Sequence, residues 1–496
     1  MRRCAVGLIA LGLVASACGA RLSSPALTAA RQRLSGPAVQ APASNTTGLG
    51  VGPAAPSVSP QASAAPADGP QPRGLSSGSS RTPIGPTVPG PSGHTTLTPT
   101  AASVNPFAGP PPGGNGGATD VGVSATEIDL GNVVTQGGPV PGLFSGAYYG
   151  AAAYAAYVNS MGGVYGRRLV VKTHDDQLQA AQNKADIEAL IPSVLGFVGS
   201  FSLEDGAGAP DMQSSGTPDV GVGLSTARQQ LAVNFAANPI SNGFAIGPLL
   251  YFKQRYGPAV TDHIAFYIED NPTAIANANL EQVALAHAGY KIVYSRKIEA
   301  TESNFQGDVK SMQDKGVKGL ILQGEVSTMA RMASAMHDAN FTVPFADWGA
   351  PAYDPGFISL SNGGAEGAVL YQQLAMYAGE DGAKIPEVGL FDTWLKRVAP
   401  SQTADLFAAY AWASGALLTQ ALIKAGPQLT RKSLLAALGT IDNFDDNGMF
   451  APVGPASKRS PTCFIVIDVK GGKFVRDPAD PPTGYRCSDG GYYKEG

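Results

Sequence analysis

The stretch from Thr126 to Asp176 constrains the fold more than any other part of the chain. It contains an apolar segment at Ile128–Val134, a Gly/Pro loop, a small-residue segment that stops at Gly162-Gly163, and a second apolar segment at Leu169–Thr173. Two short apolar runs separated by a segment of helical length and a glycine turn are typical of a βαβ unit. The sequence therefore predicts two parallel strands joined by a helix.

The same alternation continues along the chain in two successive runs. Further strands are predicted at Val194–Val198, Asp219–Val222, His263–Ile268, Lys291–Ile298, Gly319–Leu322, Val343–Ala346, Gly367–Leu374 and Phe464–Val469. Helices are predicted at Ala147–Ser160, Gln179–Leu190, Phe244–Tyr256, Asn277–Ala288, Phe305–Lys315, Thr328–Asp338, Thr403–Lys424 and after Thr430. Alternating strands and helices predict an α/β fold with parallel sheets flanked by helices, and two runs predict two similar lobes.

The ordered set of segments resembles the type I periplasmic binding proteins, the branched-chain amino-acid (Leu/Ile/Val) receptor-like family of ABC transporter substrate-binding lipoproteins. The opening βαβ unit carries the resemblance, together with the late helix that contains Phe407-Ala-Ala-Tyr-Ala-Trp and the later segment Phe444-Asp-Asp-Asn-Gly-Met-Phe. The resemblance covers nearly everything from Val121 to Val475. It implies a two-lobed fold with three hinge crossovers, near Ala245, Gly367–Gln372 and Asn447–Pro452.

The resemblance also implies how the chain is divided and what it does. Lobe 1 would comprise residues 119–246 and 371–447, and lobe 2 residues 247–370 and 448–496. The expected function is extracytoplasmic capture of a small solute, an amino acid or an amide-like compound, by hinge closure, followed by delivery to an ABC permease. A monomer without cofactor or enzymatic activity is expected. The alternative is a sensor of the same fold that reports ligand state to a signalling partner.

The N-terminal region has the pattern of an export signal. Arg2 and Arg3 precede an apolar stretch too short to span a bilayer, and Ala15-Ser-Ala-Cys18 resembles a bacterial lipobox. We expect residues 1–17 to be a lipoprotein signal peptide and Cys18 to anchor the protein to the outer face of the cell membrane. An ordinary signal cleaved after Ala17 is the alternative. Residues 18–118, rich in Pro, Ala, Ser and Gly, are predicted to form a disordered linker or tail.

Composition and motifs argue against several other classes of protein. The net charge is -4, and no basic stripe favours nucleic acid. The 5 histidines form no zinc motif, and no predicted strand is followed by a nucleophile elbow or a P-loop. Cys463 and Cys487 are an even pair in an exported domain, which predicts a disulfide, since no His/Cys cluster surrounds them to favour a metal site.

Three loops after predicted strands in lobe 1 are candidate ligand contacts. They carry Gln136, then Ser200, Phe201 and Ser202, and then Ser225 and Thr226. The second and third loops resemble the places where the family holds a ligand carboxylate with hydroxyls and helix N-terminal amides. Capping of their own helices is the alternative role for these hydroxyls. Glu204 and Asp205 would oppose an anionic ligand there, unless they point to the surface, and no basic residue stands in these loops.

Lobe 2 contributes acids and one aromatic side chain to the predicted site. Glu269, Glu325 and Asp347 follow predicted strands and are candidate ligand contacts. The resemblance implies that a carboxylate of this lobe holds a ligand ammonium, as in the family's amino-acid receptors, and Asp347 and Glu325 are the possible residues for that role. Solvation at the rim of the cleft is the alternative. Trp348, with Tyr371 and Phe201, could form apolar walls of the pocket, and core packing is the alternative for these rings.

Overall fold

The computed structural model of the chain describes residues 105–240, 243–487 and 491–493. The elements up to residue 261 are strands β1 Glu127–Val134, β2 Arg168–Asp175, β3 Gly196–Val198, β4 Asp219–Val220, β5 Asn234–Phe235 and β6 Phe244–Ala245, and helices α1 Ser145–Ser160, α2 Ala180–Leu190, α3 Ala209–Ser215, α4 Thr226–Gln229, α5 Ile246–Tyr256 and α6 Pro258–Thr261. The predicted signal peptide, Cys18 and the linker up to residue 104 lie outside the described residues.

The rest of the chain alternates in the same way. Its strands are β7 Ile264–Glu269, β8 Ile292–Ile298, β9 Gly319–Gln323, β10 Phe345–Asp347, β11 Val369–Gln372, β12 Cys463–Lys470, β13 Lys473–Arg476, β14 Arg486–Cys487 and β15 Tyr492–Tyr493. Its helices are α7 Pro272–His287, α8 Gln306–Asp314, α9 Val326–Asp338, α10 Pro355–Leu360, α11 Pro386–Val398, α12 Leu406–Ala425 and α13 Arg431–Leu438.

Two separate sheets confirm the predicted α/β class. The first has the order β2-β1-β3-β4-β5, with every neighbouring pair parallel. The second runs β8-β7-β9-β10-β11 in parallel and then adds β12 and β13 as antiparallel strands. The parallel part of each sheet therefore has the same strand order, in which the second strand along the chain lies outside the first. We call the elements around the two sheets lobe 1 and lobe 2.

The chain passes between the sheets three times. It leaves sheet 1 after β5 and enters sheet 2 at β7, returns after β11 to the helices α11–α13, and crosses again before β12. An antiparallel bridge between Leu374 and Phe450 links the second and third crossings. The second crossing was predicted at Gly367–Gln372, but β11 belongs to sheet 2 and the crossing follows it. The finer lobe boundaries stay predictions, except that residues 371–372, predicted for lobe 1, belong to β11 of sheet 2.

Small residues explain how the main helices of lobe 1 pack. A Cβ atom on Gly150 of α1 would lie 2.1 Å from the carbonyl oxygen of Ala408, so only glycine permits this approach of α12. Helix α12 is apolar and buries thirteen of its residues. Within the described part of the chain it alone is long and apolar enough to cross a membrane, but 72% of that window is buried inside the protein. It is therefore a core helix.

The predicted linker extends too far towards the folded domain. Residues 105–118 pack on lobe 1, because the Arg167 guanidinium donates to the carbonyl oxygens of Asn115 and Gly117, and the Asn115 side chain donates to the carbonyls of Ala125 and Tyr165. Satisfied main-chain carbonyls around a buried arginine hold this segment in place. The composition of residues 105–118 did not predict that they pack on lobe 1, because only Asn115 and Phe107 are of residue types that suggest such a contact.

The C-terminal segment is fastened at two points. The predicted disulfide between Cys463 and Cys487 is confirmed, and it joins the paired strands β12 and β14. Beyond it, β15 pairs antiparallel with β6, and the ring of Tyr493 stacks on His287 with the centroids 4.1 Å apart. Since β6 lies at the first crossing, Tyr492–Tyr493 are held beside that crossing.

Candidate functional site

The carboxyl ends of the parallel strands define one candidate edge in each lobe. In lobe 1, α1 follows β1 and packs with α12, whereas α2 and α3 pack in a separate apolar cluster with Phe197 and Val133. Consecutive connections therefore leave the sheet on opposite faces between β1 and β3. This divergence opens a crevice outside the strand ends, which is where ligands bind in open α/β sheets.

Ser200 and Ser202 both lie at this edge of lobe 1, but their hydroxyls serve the loop itself. The Ser200 hydroxyl accepts the Val133 amide at 3.0 Å. The Ser202 hydroxyl accepts the Glu204 amide at 2.9 Å and a longer bond from Thr135. Both side chains are buried. The structure therefore places them as loop-forming residues close to the predicted cleft.

Phe201 belongs to a group of four rings at the same edge, which we call the aromatic cluster: Phe144, Phe201, Phe407 and Tyr410. Phe144 lies edge-on to Phe201 and Phe407 with centroids 5.0 and 4.7 Å away, and Tyr410 is parallel to Phe201 at 6.1 Å. Phe407 and Tyr410 are half-buried. Only Phe201 was predicted here, although Phe144 stands at the start of α1 and the other two share one face of α12.

The third loop of lobe 1, residues 224–226, is supported by a buried ionic network. The Arg228 side chain is buried and donates to Asp219 through Nε and Nη2, at 2.8 Å each, and to the Ser200 carbonyl at 3.1 Å. Asp205 lies 3.5 Å from Arg228 and also accepts the amides of Leu224 and Ser225. Because of its two carboxylate partners, the pKa of Arg228 is raised although burial opposes its charge.

This network decides the charge beside the loops of lobe 1. Arg228 of α4 stands next to them, but its charge is balanced by Asp219 and Asp205. Asp205 lies in the loop before α3, which starts at Ala209. Ser225 caps the four-residue helix α4 by accepting the Arg228 amide at 3.2 Å, as the alternative role anticipated, and Thr226 is exposed.

Gln136 and Glu204 are half-buried at the same edge. The amides of Gln136 and Gly137 donate to Asp175 at 2.8 and 3.1 Å, and these bonds help to lower the pKa of that carboxyl against the effect of burial. Burial raises the pKa of Glu204, and the nearby charges of Asp176 and Asp205 add to the shift. The carboxyl edge of lobe 1 therefore carries several carboxyl groups close together.

Glu269 and Glu325 of lobe 2 are brought together by a loop contact. Glu269 follows the core of β7, is buried, and accepts the Glu325 amide at 2.8 Å. Glu325 is the N-cap of α9, and its carboxylate accepts the amides of Ser327 and Thr328. Burial raises the pKa of Glu269. Glu325 is thus a helix cap and not a solvated acid at a rim.

Asp347 and Trp348 are both buried, so the solvated position considered for the acid is wrong. Asp347 lies on the same face of β10 as Phe345, which is packed among α5 and α7, and its carboxylate accepts the Gly349 amide at 2.9 Å. Burial raises the pKa of Asp347 to about 7. Trp348 packs on Phe357 with centroids 5.3 Å apart. Neither side chain lines an open surface, and Tyr371 packs near Phe252 and Phe464.

The two edges meet at the loops that follow β3 and β7. The Thr273 hydroxyl, in the first turn of α7, donates to the Leu203 carbonyl at 3.4 Å. Near the first crossing, the Asn238 amide donates to the Tyr410 hydroxyl at 3.1 Å. The candidate cleft therefore lies between the loop of residues 200–205 and aromatic cluster on one side and the loops after β7 and β9 on the other.

A shallow, open depression of about 520 Å³ lies elsewhere, on the surface of lobe 2. It is lined by residues of β8 and α8, among them Tyr294, Arg296 and Asp308, and none of the predicted site residues borders it. Arg296 already pairs with Asp308 and Glu302 there. We therefore do not assign the solute site to this depression.

Two α/β lobes of equal strand order, with loops that meet at their carboxyl edges, define the class of two-lobed solute receptors. The family model described as "Periplasmic binding protein" matches residues 127–473, and the chain belongs to that family. Family members bind small molecules outside the cytoplasm and work with ABC transporters. No curated protein shows significant sequence similarity to this chain.

Solved structures of the same fold include receptors for different solutes. A fatty acid ABC transporter substrate-binding protein from Thermomonospora curvata is 17% identical, with a TM-score of 0.63 over 77% of this chain and 97% of that chain. A branched-chain amino acid ABC transporter from Thermus thermophilus with bound valine is 15% identical, with a TM-score of 0.62 over 73% and 97%. A putative branched-chain amino acid ABC transporter from Rhodospirillum rubrum is 19% identical, with a TM-score of 0.55 over 71% and 100%. At these identities the likeness concerns the fold.

Proposed function

We propose that the protein is the extracytoplasmic solute-binding component of an ABC importer and has no enzymatic activity. It captures a small solute, an amino acid or an amide-like compound, between its lobes and presents the closed form to a permease. A lipid on Cys18 would keep it at the outer face of the membrane. The observation that carries this proposal is the pairing of two sheets of the same strand order whose carboxyl-edge loops meet at Leu203 and Thr273.

Closure around the solute is a two-state equilibrium in this proposal. Three crossings between the sheets allow the lobes to rotate against each other, and a solute that contacts both edges favours the closed form by its differential affinity. Gln136, Glu204 and the half-buried rings Phe407 and Tyr410 offer polar and apolar contacts on the side of lobe 1. The loops that carry Glu269 and Glu325 offer the opposing surface.

A thermal-shift screen of the domain from residue 105 onward tests the proposal. A solute that binds only the native state raises the melting temperature, and above the Kd the stabilisation grows with the logarithm of the solute concentration. We expect a response to one chemical class among amino acids, amides, aromatic compounds and sugars. A response that persists after the carboxyl-edge loops are changed, for example in Glu204→Ala together with Phe407→Ala, would place binding elsewhere and contradict the proposed cleft.

A further inference from the structure

Asp205 occupies amide donors that a receptor could otherwise offer to a ligand. Its Oδ2 accepts the Leu224 amide at 2.7 Å, and its Oδ1 accepts the Ser225 amide at 3.0 Å. Its carboxylate also lies 3.5 Å from the guanidinium of Arg228. Two converging amides beside an arginine are a set of donors suited to one carboxylate, and here the protein's own side chain supplies it.

Asp205 is buried, with 2% of its surface exposed, and so is not a free acid in the cleft. Asp205 follows β3, whereas Leu224 and Ser225 follow β4. These two strands are parallel neighbours in sheet 1. The bonds therefore tie two adjacent loops together at the edge where ligands bind in such sheets. A ligand carboxylate could reach these amides only by displacing Asp205.

The same arrangement recurs in the other loops at the two edges. Asp175 accepts the amides of Gln136 and Gly137 in lobe 1. In lobe 2, Glu269 accepts the amide of Glu325, whose own carboxylate accepts those of Ser327 and Thr328. These loop amides are thus already bonded to carboxylates of the chain, and the half-buried Glu204 adds an acceptor. An arriving carboxylate would find repulsion in place of donors.

We infer that Asp205 is a specificity-determining residue that excludes carboxylates, so that the solute presents an uncharged group such as a carboxamide to the loops of lobe 1. This inference rests on the proposed solute-binding function and narrows its ligand class. Other side chains at this edge suit such a solute. Glu204 and Gln136 can accept hydrogen bonds from its amide group, and the aromatic cluster can contact its apolar part. Asp205 acts here as a built-in substitute for a ligand carboxylate.

Acetate rescue of Asp205→Ala tests the role of Asp205 directly. The substitution frees two amides and Arg228, so acetate should bind the variant and raise its melting temperature, while chloride at equal ionic strength should not. Charge-assisted hydrogen bonds of this kind correspond to roughly tenfold to hundredfold tighter acetate binding than in the wild type. Asp205→Asn is the matched control, because it fills the same space and should give no acetate response. If Asp205→Ala unfolds, recovery of its far-UV signal in acetate is the same readout.

A variant that responds to acetate no more than the wild type or Asp205→Asn would overturn the inference. A second arm compares isovalerate with isovaleramide, which differ only in the carboxylate. The wild type should be stabilised by the amide and not by the acid, and Asp205→Ala should gain a response to the acid. Preference of the wild type for isovalerate would also overturn the inference. A wild type that binds neither isovalerate nor isovaleramide counts against the proposed function and not against the role of Asp205, because the acetate response of Asp205→Ala tests that role separately.

Discussion

The guanidinium of Arg228 makes two parallel hydrogen bonds to the carboxylate of Asp219, each 2.8 Å long, and both side chains are almost fully buried. The pair lies directly below the loops that follow β3 and β4. It fixes the backbone of Ser200 through the carbonyl bond and Asp205 through charge. The geometry of the candidate cleft in lobe 1 therefore depends on one arginine that does not line the cleft.

Replacement of this arginine should be strongly destabilising. In Arg228→Met, Asp219 and Asp205 are left buried without their counter-ion, and breaking a buried pair in this way costs about 3–5 kcal/mol. Urea unfolding measures the loss. Lys184→Met is the control, because Lys184 pairs with Asp211 at the surface and water screens that pair. Equal losses in the two variants would contradict the role given to Arg228.

Asp347 should make stability depend on pH. Its folded pKa is about 7 and lies above the ordinary value of 3.8, so the folded state holds the proton more tightly than the unfolded state. Its contribution is fully present below pH 4 and is lost as the pH rises towards 7, by about 4 kcal/mol.

Asp347→Asn should remove the contribution of Asp347 to the fall in the free energy of unfolding between pH 4 and 7. Urea unfolding across this pH range measures the change. Glu281 should leave a residual slope of the same sign, since burial and Asp347 raise its pKa too. Asp262→Asn is a control of opposite sign, because the bond from Lys291 lowers the pKa of Asp262. A wild type whose stability is flat between pH 4 and 7 would refute the assignment.

Loss of the disulfide should weaken the attachment of the C-terminal segment. Cys463 and Cys487 are 24 residues apart, and opening a loop of this size costs about 2–4 kcal/mol. The double variant Cys463→Ala, Cys487→Ala should show this loss in thermal unfolding. Reductant should reproduce it in the wild type and have no effect on the double variant; a reductant effect on both would point to another cause.

Glu325→Ala should affect stability and leave solute affinity unchanged. Its carboxylate is used by the first turn of α9, so its removal costs about 0.5–2 kcal/mol, as for other N-caps. Thr430→Ala is the matched control, since Thr430 caps α13 in lobe 1 with a capping box. Calorimetric titration with the solute found in the screen gives the affinity, and a clear loss in Glu325→Ala alone would make Glu325 a ligand contact.

Periodicity predicted most of the fold because it reports which faces are buried. The strands from β1 to β12 that it identified differ from the observed ones by a few residues at their ends, and Thr430 is the predicted cap. Helix α7 begins earlier than predicted, since Asn271 caps it and Pro272 occupies its first turn. Helices α3, α4, α6, α10 and α11 were not predicted. All but α11 are seven residues or shorter, which leaves little room for a periodic signal, whereas α11 has Val388, Phe391 and Leu395 at helical spacing and could have been identified.

The site was less predictable because side-chain direction in loops depends on distant partners. Asp205 is bonded to amides 19 and 20 residues further along the chain, and no local pattern encodes that contact. Asp347 is different: alternation along β10 places it on the face of Phe345, away from Trp348. Strand alternation could therefore have identified it as a core acid. The predicted site residues gather at two edges, while their roles as ligand contacts remain predictions.

The pairing of β15 with β6 has a practical consequence for anyone who handles this protein. A reporter attached directly after Tyr493 would be tethered next to the first crossing, where it would hinder the rotation of the lobes that the proposed function requires. A fluorophore or surface linkage placed on lobe 1 away from the candidate loops, for instance at the exposed Ser214 of α3, leaves that strand pair undisturbed. The choice of attachment point thus decides whether an assay measures movement of the unperturbed lobes or an effect of the label.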